Sequence, residues 1–143
     1  MDSPTNPAAA APTPPTASKK ILLVEDDDNL ATTYLTRLQL EGFEVQREPD
    51  GEKALASAVS YKPDLVLLDV MMPKISGFDV LDILRNTPET AKTKIIMLTA
   101  RGQQADMERA KSLGADAYLV KSQVLIADVV AKIKAQLGMP PQK

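Results

Sequence analysis

The sequence contains no cysteine, no histidine and no tryptophan among its 143 residues. Without cysteine it can form neither a disulfide nor a thiolate nucleophile or metal site. Without histidine it lacks the commonest general base, the usual zinc ligand and any residue that could carry phosphohistidine. The chemistry open to this chain therefore uses carboxylates, hydroxyls and amines.

A large excess of one charge and long apolar runs are missing as well. Seventeen Lys and Arg residues stand against nineteen Asp and Glu residues, a net charge of -2. Such a balance gives no general attraction to nucleic acid or to an anionic membrane surface. No apolar run approaches the ~18 residues of a membrane span, and no secretory signal opens the chain. We therefore expect a cytoplasmic protein that binds neither nucleic acid nor membrane directly.

The N-terminal segment differs in composition from the rest of the chain. Residues 1–18 contain five prolines and several alanines, and they predict a disordered tail because they cannot bury enough apolar surface to offset the entropy of ordering. A Pro-rich docking peptide is the alternative reading of this tail. Residues 19–138 predict one domain, and residues 139–143 predict a short C-terminal tail.

Within the domain, predicted strands and helices alternate five times. Four short apolar runs are typical of buried parallel strands, Ile21–Val24, Leu65–Leu68, Ile95–Leu98 and Tyr118–Val120. Phe43–Gln46 alternates apolar and polar residues, which favours a half-exposed edge strand. Helical spacing of apolar residues follows each strand, and the last helix is predicted to bury Val124, Leu125, Val129, Ile133 and Leu137. This alternation predicts an α/β fold with a parallel sheet covered by helices on both faces.

Four of the five predicted strands are followed by polar residues at the carboxyl edge of the sheet, where ligands of open α/β sheets bind. These residues are Glu25 with Asp26, Asp69, Thr99 and Lys121. The edge strand alone is not expected to contribute. Each residue taken singly also fits an ordinary loop or helix-capping role, so the prediction depends on the set as a whole.

The set predicts phosphoryl chemistry. Three carboxylates in one crevice repel one another unless a cation lies between them, and all-oxygen ligands favour Mg²⁺, with Mn²⁺ as an alternative. In such a site Asp69 could act as a nucleophile that forms an acyl phosphate. Lys121 could neutralise the transferring group, and the Thr99 hydroxyl could donate a hydrogen bond to it.

Four motifs, ILLVEDD, VLLDVMMPKISG, IIMLTA and GADAYLVK, occur in this order across about residues 19 to 138. Together they resemble the receiver domain of two-component response regulators, in particular a chemotaxis-type single-domain regulator. The resemblance implies a flavodoxin-like (βα)5 fold, a doubly wound five-stranded parallel sheet with strand order 2-1-3-4-5.

The resemblance also implies a role for each site residue. Asp69 would become 4-aspartylphosphate, Thr99 would be the switch hydroxyl, and Tyr118 would be the aromatic residue coupled to it. Lys121 would be the lysine that receiver domains typically carry at the end of their last strand. The metal ligands would be Glu25, Asp26, Asp69 and the backbone carbonyl of Met71. The family usually has a cis proline after the lysine, whereas Ser122 follows Lys121 here. The peptide is therefore either cis without proline, or trans with Lys121 approaching differently.

Partners follow from the same resemblance. A histidine kinase or histidine phosphotransfer protein would donate the phosphoryl group, and a downstream protein would bind helix 4, strand 5 and helix 5. The protein would be a monomer or a phosphorylation-dependent dimer, either free-standing or a receiver cut from a longer regulator. A phosphorylation-independent binding module is the alternative function. A haloacid-dehalogenase-type phosphatase is disfavoured, because it needs an acid where this chain has Met71.

Overall fold

The structure is a computed structural model, and it describes residues 18–100 and 102–139. The predicted N-terminal tail lies outside the described residues except for its last residue. Of the predicted C-terminal tail, residues 140–143 also lie outside them.

Five strands and five helices alternate along the described residues. The strands are β1 (Lys20–Val24), β2 (Glu44–Glu48), β3 (Leu65–Leu68), β4 (Lys94–Thr99) and β5 (Ala117–Val120). The helices are α1 (Asp28–Leu40), α2 (Gly51–Ser60), α3 (Gly77–Arg85), α4 (Gln104–Leu113) and α5 (Ile126–Gln136). A short 3-10 turn, Lys121–Gln123, follows β5.

All four strand pairings are parallel, and the spatial order of the sheet is β2-β1-β3-β4-β5. This order confirms the predicted doubly wound fold with strand order 2-1-3-4-5. Because every strand runs in the same direction, all five carboxyl ends lie along one edge. The central strands β1, β3 and β4 bring their ends together in the middle of that edge.

The two faces of the sheet hold two apolar clusters. Alternate strand residues point to opposite faces. Leu22, Val24, Val66, Leu68, Ile95 and Met97 pack against α2, α3 and α4, whereas Ile21, Leu23, Leu65, Leu67, Ile96 and Leu98 pack against α1 and α5. Burial on both faces explains why these strands are uniformly apolar in sequence.

Side-chain caps fix where the first three helices begin. The side-chain oxygens of Asp27, Asp50 and Ser76 each accept a hydrogen bond from the backbone N–H three residues later. α4 ends at Gly114, whose φ of 103° belongs to the left-handed region that glycine adopts readily. Three of the loops at the carboxyl edge therefore lead into helices with defined starts.

Two local expectations from the sequence are wrong. The edge strand extends to Glu48, so Arg47 and Glu48 lie at the carboxyl edge of the sheet. α5 begins at Ile126, and Leu125 is 72% exposed instead of buried. Leu125 has an extended backbone before the first turn, so it does not share the helical face that buries Val129.

Among the described residues, no helix combines the length and the apolar character that crossing a bilayer requires.

Candidate functional site

Two of the predicted acids meet because their strands are neighbours. Glu25 directly follows β1 and Asp69 directly follows β3, and the last residues of these strands, Val24 and Leu68, are paired. The pairing continues by one hydrogen bond, which the Asp69 N–H donates to the Val24 carbonyl over 3.1 Å. Carboxylate oxygens of Glu25, Asp26 and Asp69 lie within 4.8 Å of one another. The two strands thus create the acidic cluster that the sequence predicted.

Lys121 reaches the same cluster from farther away. It follows β5, which is separated from β3 by β4. Its Nζ donates a hydrogen bond to Glu25 Oε1 at 2.9 Å and lies 3.5 Å from Asp69 Oδ2. The Lys121–Ser122 peptide is trans, and the chain continues in the 3-10 turn. Of the two arrangements predicted for this loop, the trans peptide is therefore the one adopted.

The site holds more negative charge than its own cation can balance. Glu25 and Asp69 are only 3% and 5% exposed, whereas Asp26 faces solvent. Burial, with the nearby charge of Glu25, raises the pKa of Asp69 to about 6, although Lys121 opposes this rise. Burial alone would lower the pKa of Lys121, but its hydrogen bond to Glu25 and the charges of Asp69 and Glu25 raise it.

The donor set fits a hard divalent cation. Three carboxylates converge, one of them open to solvent, and no nitrogen or sulfur ligand is present among them. Mg²⁺ and Mn²⁺ prefer oxygen ligands of this kind and retain water at the remaining positions. The Met71 N–H donates to Asp69 Oδ1 over 3.3 Å, which places the Met71 backbone beside the cluster. Ligation by the Met71 carbonyl stays a prediction.

Thr99 and Tyr118 lie on the two strands beyond Asp69. Thr99 is the last residue of β4, the strand adjacent to β3, and it is fully buried. Tyr118 lies on β5, pairs with Met97, and is half-buried on the face that α4 covers. The switch roles of Thr99 and Tyr118 stay predictions.

Gly77 has a structural role that the sequence did not reveal. A Cβ at this position would lie 2.2 Å from the Asp69 carbonyl oxygen and 2.7 Å from Val70 Cα. The Gly77 N–H also donates to the Val70 carbonyl at 2.8 Å. The first turn of α3 therefore packs directly on the backbone of Asp69. In sequence Gly77 showed only as a loop residue.

Arg47 is a second residue that sequence reasoning missed. Its Nε and Nη2 both donate to the backbone carbonyl of Glu25, at 2.9 and 2.6 Å. Its Nη1 donates to Asp28 Oδ1 at 2.9 Å, within the first turn of α1. The edge strand, which was not expected to contribute, thus reaches the acidic cluster. The only available signal was the alternation that places Arg47 on the same face of β2 as Val45.

Comparisons with known proteins show which family the chain resembles. A family model described as the response regulator receiver domain matches residues 21–134. The transcriptional regulatory protein CpxR of Escherichia coli K12 is 47% identical over 100 residues, which cover 70% of this chain and 41% of CpxR. The phosphate regulon transcriptional regulatory protein PhoB of Rhizobium meliloti is 41% identical over 100 residues, covering 70% of this chain and 44% of PhoB. The chain thus spans less than half the length of these relatives.

Solved structures show the same fold. The BeF3-activated N-terminal receiver domain of Klebsiella pneumoniae RstA superposes with a TM-score of 0.78 at 30% identity, over 83% of this chain and 98% of that one. The chemotaxis protein CheY4 of Vibrio cholerae gives a TM-score of 0.78 at 29% identity, over 83% and 98%. Both similarities extend over nearly the whole described part of the chain.

Proposed function

The chain belongs to the response regulator receiver domain family, and we propose that Asp69 is the residue that accepts the phosphoryl group. One observation carries this proposal: three carboxylates and one lysine from separate parts of the sequence converge at the end of β3. Among them Asp69 directly follows the central strand β3, 3.5 Å from the Lys121 amine and within 4.8 Å of carboxylate oxygens of Glu25 and Asp26. It is thus within reach of both the lysine and the acids that would hold a cation.

The proposed transfer needs a phosphohistidine donor, since this chain contains no histidine. An Asp69 carboxylate oxygen attacks the phosphorus of phosphohistidine on a histidine kinase or phosphotransfer protein. An O–P bond forms as the N–P bond breaks, which leaves 4-aspartylphosphate here and a free imidazole on the donor. With a pKa of about 6, Asp69 is mainly ionised at neutral pH and so available as the nucleophile.

The residues around Asp69 would serve this reaction by placing positive charge beside the phosphoryl oxygens. Glu25, Asp26, Asp69 and the Met71 carbonyl would hold Mg²⁺, with Mn²⁺ as a substitute, and the bound ion supplies positive charge to the phosphoryl oxygens. Lys121, already 3.5 Å from Asp69, would bind another of these oxygens. The same groups would assist hydrolysis of the acyl phosphate. The protein would thus promote its own phosphorylation and dephosphorylation without acting on another substrate.

Phosphorylation would be transmitted from Thr99 to the surface formed by α4, β5 and α5. Added charge at Asp69 would draw the Thr99 hydroxyl inward and shift a pre-existing equilibrium between inactive and active conformations. Tyr118 supports this route because it lines a cavity of about 480 Å³ together with α4 residues that include Met107 and Lys111. A downstream protein would recognise this surface, and the chain would remain a monomer or dimerise on phosphorylation.

The setting of the reaction follows from composition and family. With a net charge of -2 the chain is proposed to act in the cytoplasm through protein partners, with no direct contact to nucleic acid or membrane. CpxR and PhoB are transcriptional regulatory proteins by name, and this chain covers 41% and 44% of their lengths. A free-standing regulator and a receiver within a longer regulator both remain consistent with this proposal.

Intact mass spectrometry after incubation with a small-molecule phosphodonor and Mg²⁺ tests the assignment. We expect one acid-labile phosphoryl adduct on the wild-type chain and none on Asp69→Asn. Asp64→Asn is the matched control, because Asp64 is an exposed acid at the opposite end of the same strand. An adduct that survives in Asp69→Asn would assign the phosphoryl group to another residue.

The alternative of a phosphorylation-independent binding module predicts a different outcome with beryllofluoride, a mimic of the phosphoryl group. The proposed function predicts that beryllofluoride binds only when Mg²⁺ is present and only when Asp69 is intact. A chain that gives no adduct and no Mg²⁺-dependent beryllofluoride binding would be a binding module.

A further inference from the structure

We propose that Arg47 is a positioning residue for the metal site, holding the peptide between Glu25 and Asp26 so that both carboxylates face Asp69. The proposal rests on the function proposed above, since it assigns Arg47 to the same cation site. It concerns a residue on β2, the edge strand, which provides none of the proposed ligands.

β2 holds the Glu25 backbone on both sides. The Glu25 N–H donates to the Glu48 carbonyl at 3.1 Å. The Glu25 carbonyl accepts the two hydrogen bonds from the Arg47 guanidinium, at 2.9 and 2.6 Å. The parallel pairing of β1 with β2 ends at Val24 and Glu48. Beyond that point the guanidinium takes the place of the next backbone hydrogen-bond donor. The rigid fork of arginine suits this task better than a single ammonium group.

The Glu25–Asp26 peptide joins two of the proposed ligands. Rotation of the Glu25–Asp26 peptide would change the direction of both carboxylates, one on each side of it. The third guanidinium nitrogen binds Asp28 at 2.9 Å, so Arg47 also ties the loop to the first turn of α1. Arg47 therefore spans the whole connection from β1 to α1. Groups that orient metal ligands in this way raise metal affinity.

Electrostatics alone predicts that the Arg47 charge weakens metal binding. A guanidinium close to a divalent cation repels it, so loss of the arginine charge by itself would strengthen metal binding. If Arg47 instead holds the ligands in place, its loss would weaken metal binding. The sign of the change in affinity therefore separates a positioning role from a simple charge effect.

Calorimetric titration of the full chain with Mg²⁺ tests the proposal. We expect Arg47→Met to raise the dissociation constant about tenfold, the lower end of the effects seen for groups that orient ligands. Arg47→Lys keeps the charge but not the fork, and we expect it to bind Mg²⁺ more weakly than wild type but more tightly than Arg47→Met. A melting curve without metal shows whether each variant is folded.

Two matched variants serve as controls. Arg37→Met removes the same charge from the last turn of α1, where Arg37 pairs with Glu41, and it should leave the Mg²⁺ dissociation constant within about twofold of wild type. Asp28→Asn removes the ion pair of Arg47 and a nearby negative charge but leaves the groups that form both hydrogen bonds to the Glu25 carbonyl. It should weaken Mg²⁺ binding less than Arg47→Met does, and an equal or larger loss would assign the effect to Asp28 instead of the Glu25 carbonyl.

Each result has a defined meaning. Unchanged or tighter Mg²⁺ binding by Arg47→Met would overturn the positioning role. If Arg47→Met does not fold, Arg47→Lys decides, and a dissociation constant equal to that of wild type would overturn the proposal. Failure of the wild-type chain to bind Mg²⁺ would instead refute the metal site of the proposed function, which distinguishes the two failures.

Discussion

Two lysine–glutamate pairs in this protein have the same contact distance but opposite surroundings. Lys134 on α5 binds Glu41 at the end of α1 over 2.9 Å, and Lys121 binds Glu25 over 2.9 Å. Glu41 also accepts a hydrogen bond from Arg37, so that pair has two cations and one carboxylate. At the site, one lysine faces three carboxylates.

The difference in charge balance appears in the pKa values. Hydrogen bonds from Lys134 and Arg37 lower the pKa of Glu41. Burial and the charge of Glu25 raise the pKa of Asp69 to about 6. The α1–α5 pair is complete as it stands and fastens two helices together. The acidic cluster carries surplus negative charge, which supports our proposal that it binds a cation.

The largest expected effect comes from disturbing the backbone that keeps the acids together. Gly77→Ala places a methyl group 2.2 Å from the Asp69 carbonyl oxygen, so α3 or β3 must move. We expect a loss of about 3 kcal/mol in the free energy of unfolding, measured by urea denaturation followed by circular dichroism. Phosphorylation of Asp69 should fall as well, because its carboxylate moves relative to Lys121.

Gly102→Ala is the control for this prediction. Its added Cβ would meet only side-chain atoms, two of Val120 at 3.3 and 3.4 Å and one of Gln123 at 3.7 Å, and these can adjust. A cost for Gly77→Ala no larger than that for Gly102→Ala would show that the close packing of α3 on Asp69 is unimportant.

The second-largest effect is expected at the Lys134–Glu41 pair, where two cations contact one carboxylate. Glu41→Gln leaves Lys134, which is 7% exposed, without its counter-charge. We expect a loss of about 2 kcal/mol in the free energy of unfolding, typical of a lost hydrogen bond to a charged group. Glu52→Gln is the matched control, because Glu52 and Lys74 form an exposed pair at 3.8 Å. That change should cost at most about 0.5 kcal/mol, and equal costs would contradict the structural role of Glu41.

The smallest expected effect is at Asp69, where substitution increases stability by an amount that depends on pH. Because the pKa of Asp69 is raised from 3.8 to about 6, the folded protein binds its proton more tightly than the unfolded chain does. Without metal, this group lowers stability as pH rises from about 4 to about 6, and the full penalty is present above that range. Asp26 beside it is open to solvent, and water and salt at that side of the cluster reduce the penalty to about 1 kcal/mol.

Comparison with Asp69→Asn isolates this contribution from the other carboxylates. Thermal unfolding without metal should show Asp69→Asn more stable than wild type at pH 7.5, with the difference shrinking towards pH 4. A stability difference between wild type and Asp69→Asn that stays constant across pH would contradict the surplus negative charge at the site.

For Glu41→Gln the loss of stability relative to wild type should be largest at neutral pH and should shrink as acid protonates Glu41.

Much of this fold was predictable because periodicity directly reflects burial. Leu65–Leu68 is apolar at every position, and it proved to be a central strand buried on both faces. Asp50 is a residue type that favours helix starts, and its carboxylate caps α2. Leu125 was wrongly placed in a buried stripe, since a change in backbone direction just before α5 leaves no mark in the spacing of apolar residues.

The sequence by itself determined the order of the strands and helices, the edge at which their polar ends meet and the acids of the site. Local propensity and the geometry of parallel strands are sufficient for that. Only the tertiary structure decided that Lys121 reaches Glu25, that Gly77 touches the Asp69 backbone and that Arg47 holds the Glu25 carbonyl. These contacts join residues distant in sequence over a few ångströms, and such distances depend on how helices pack on the sheet.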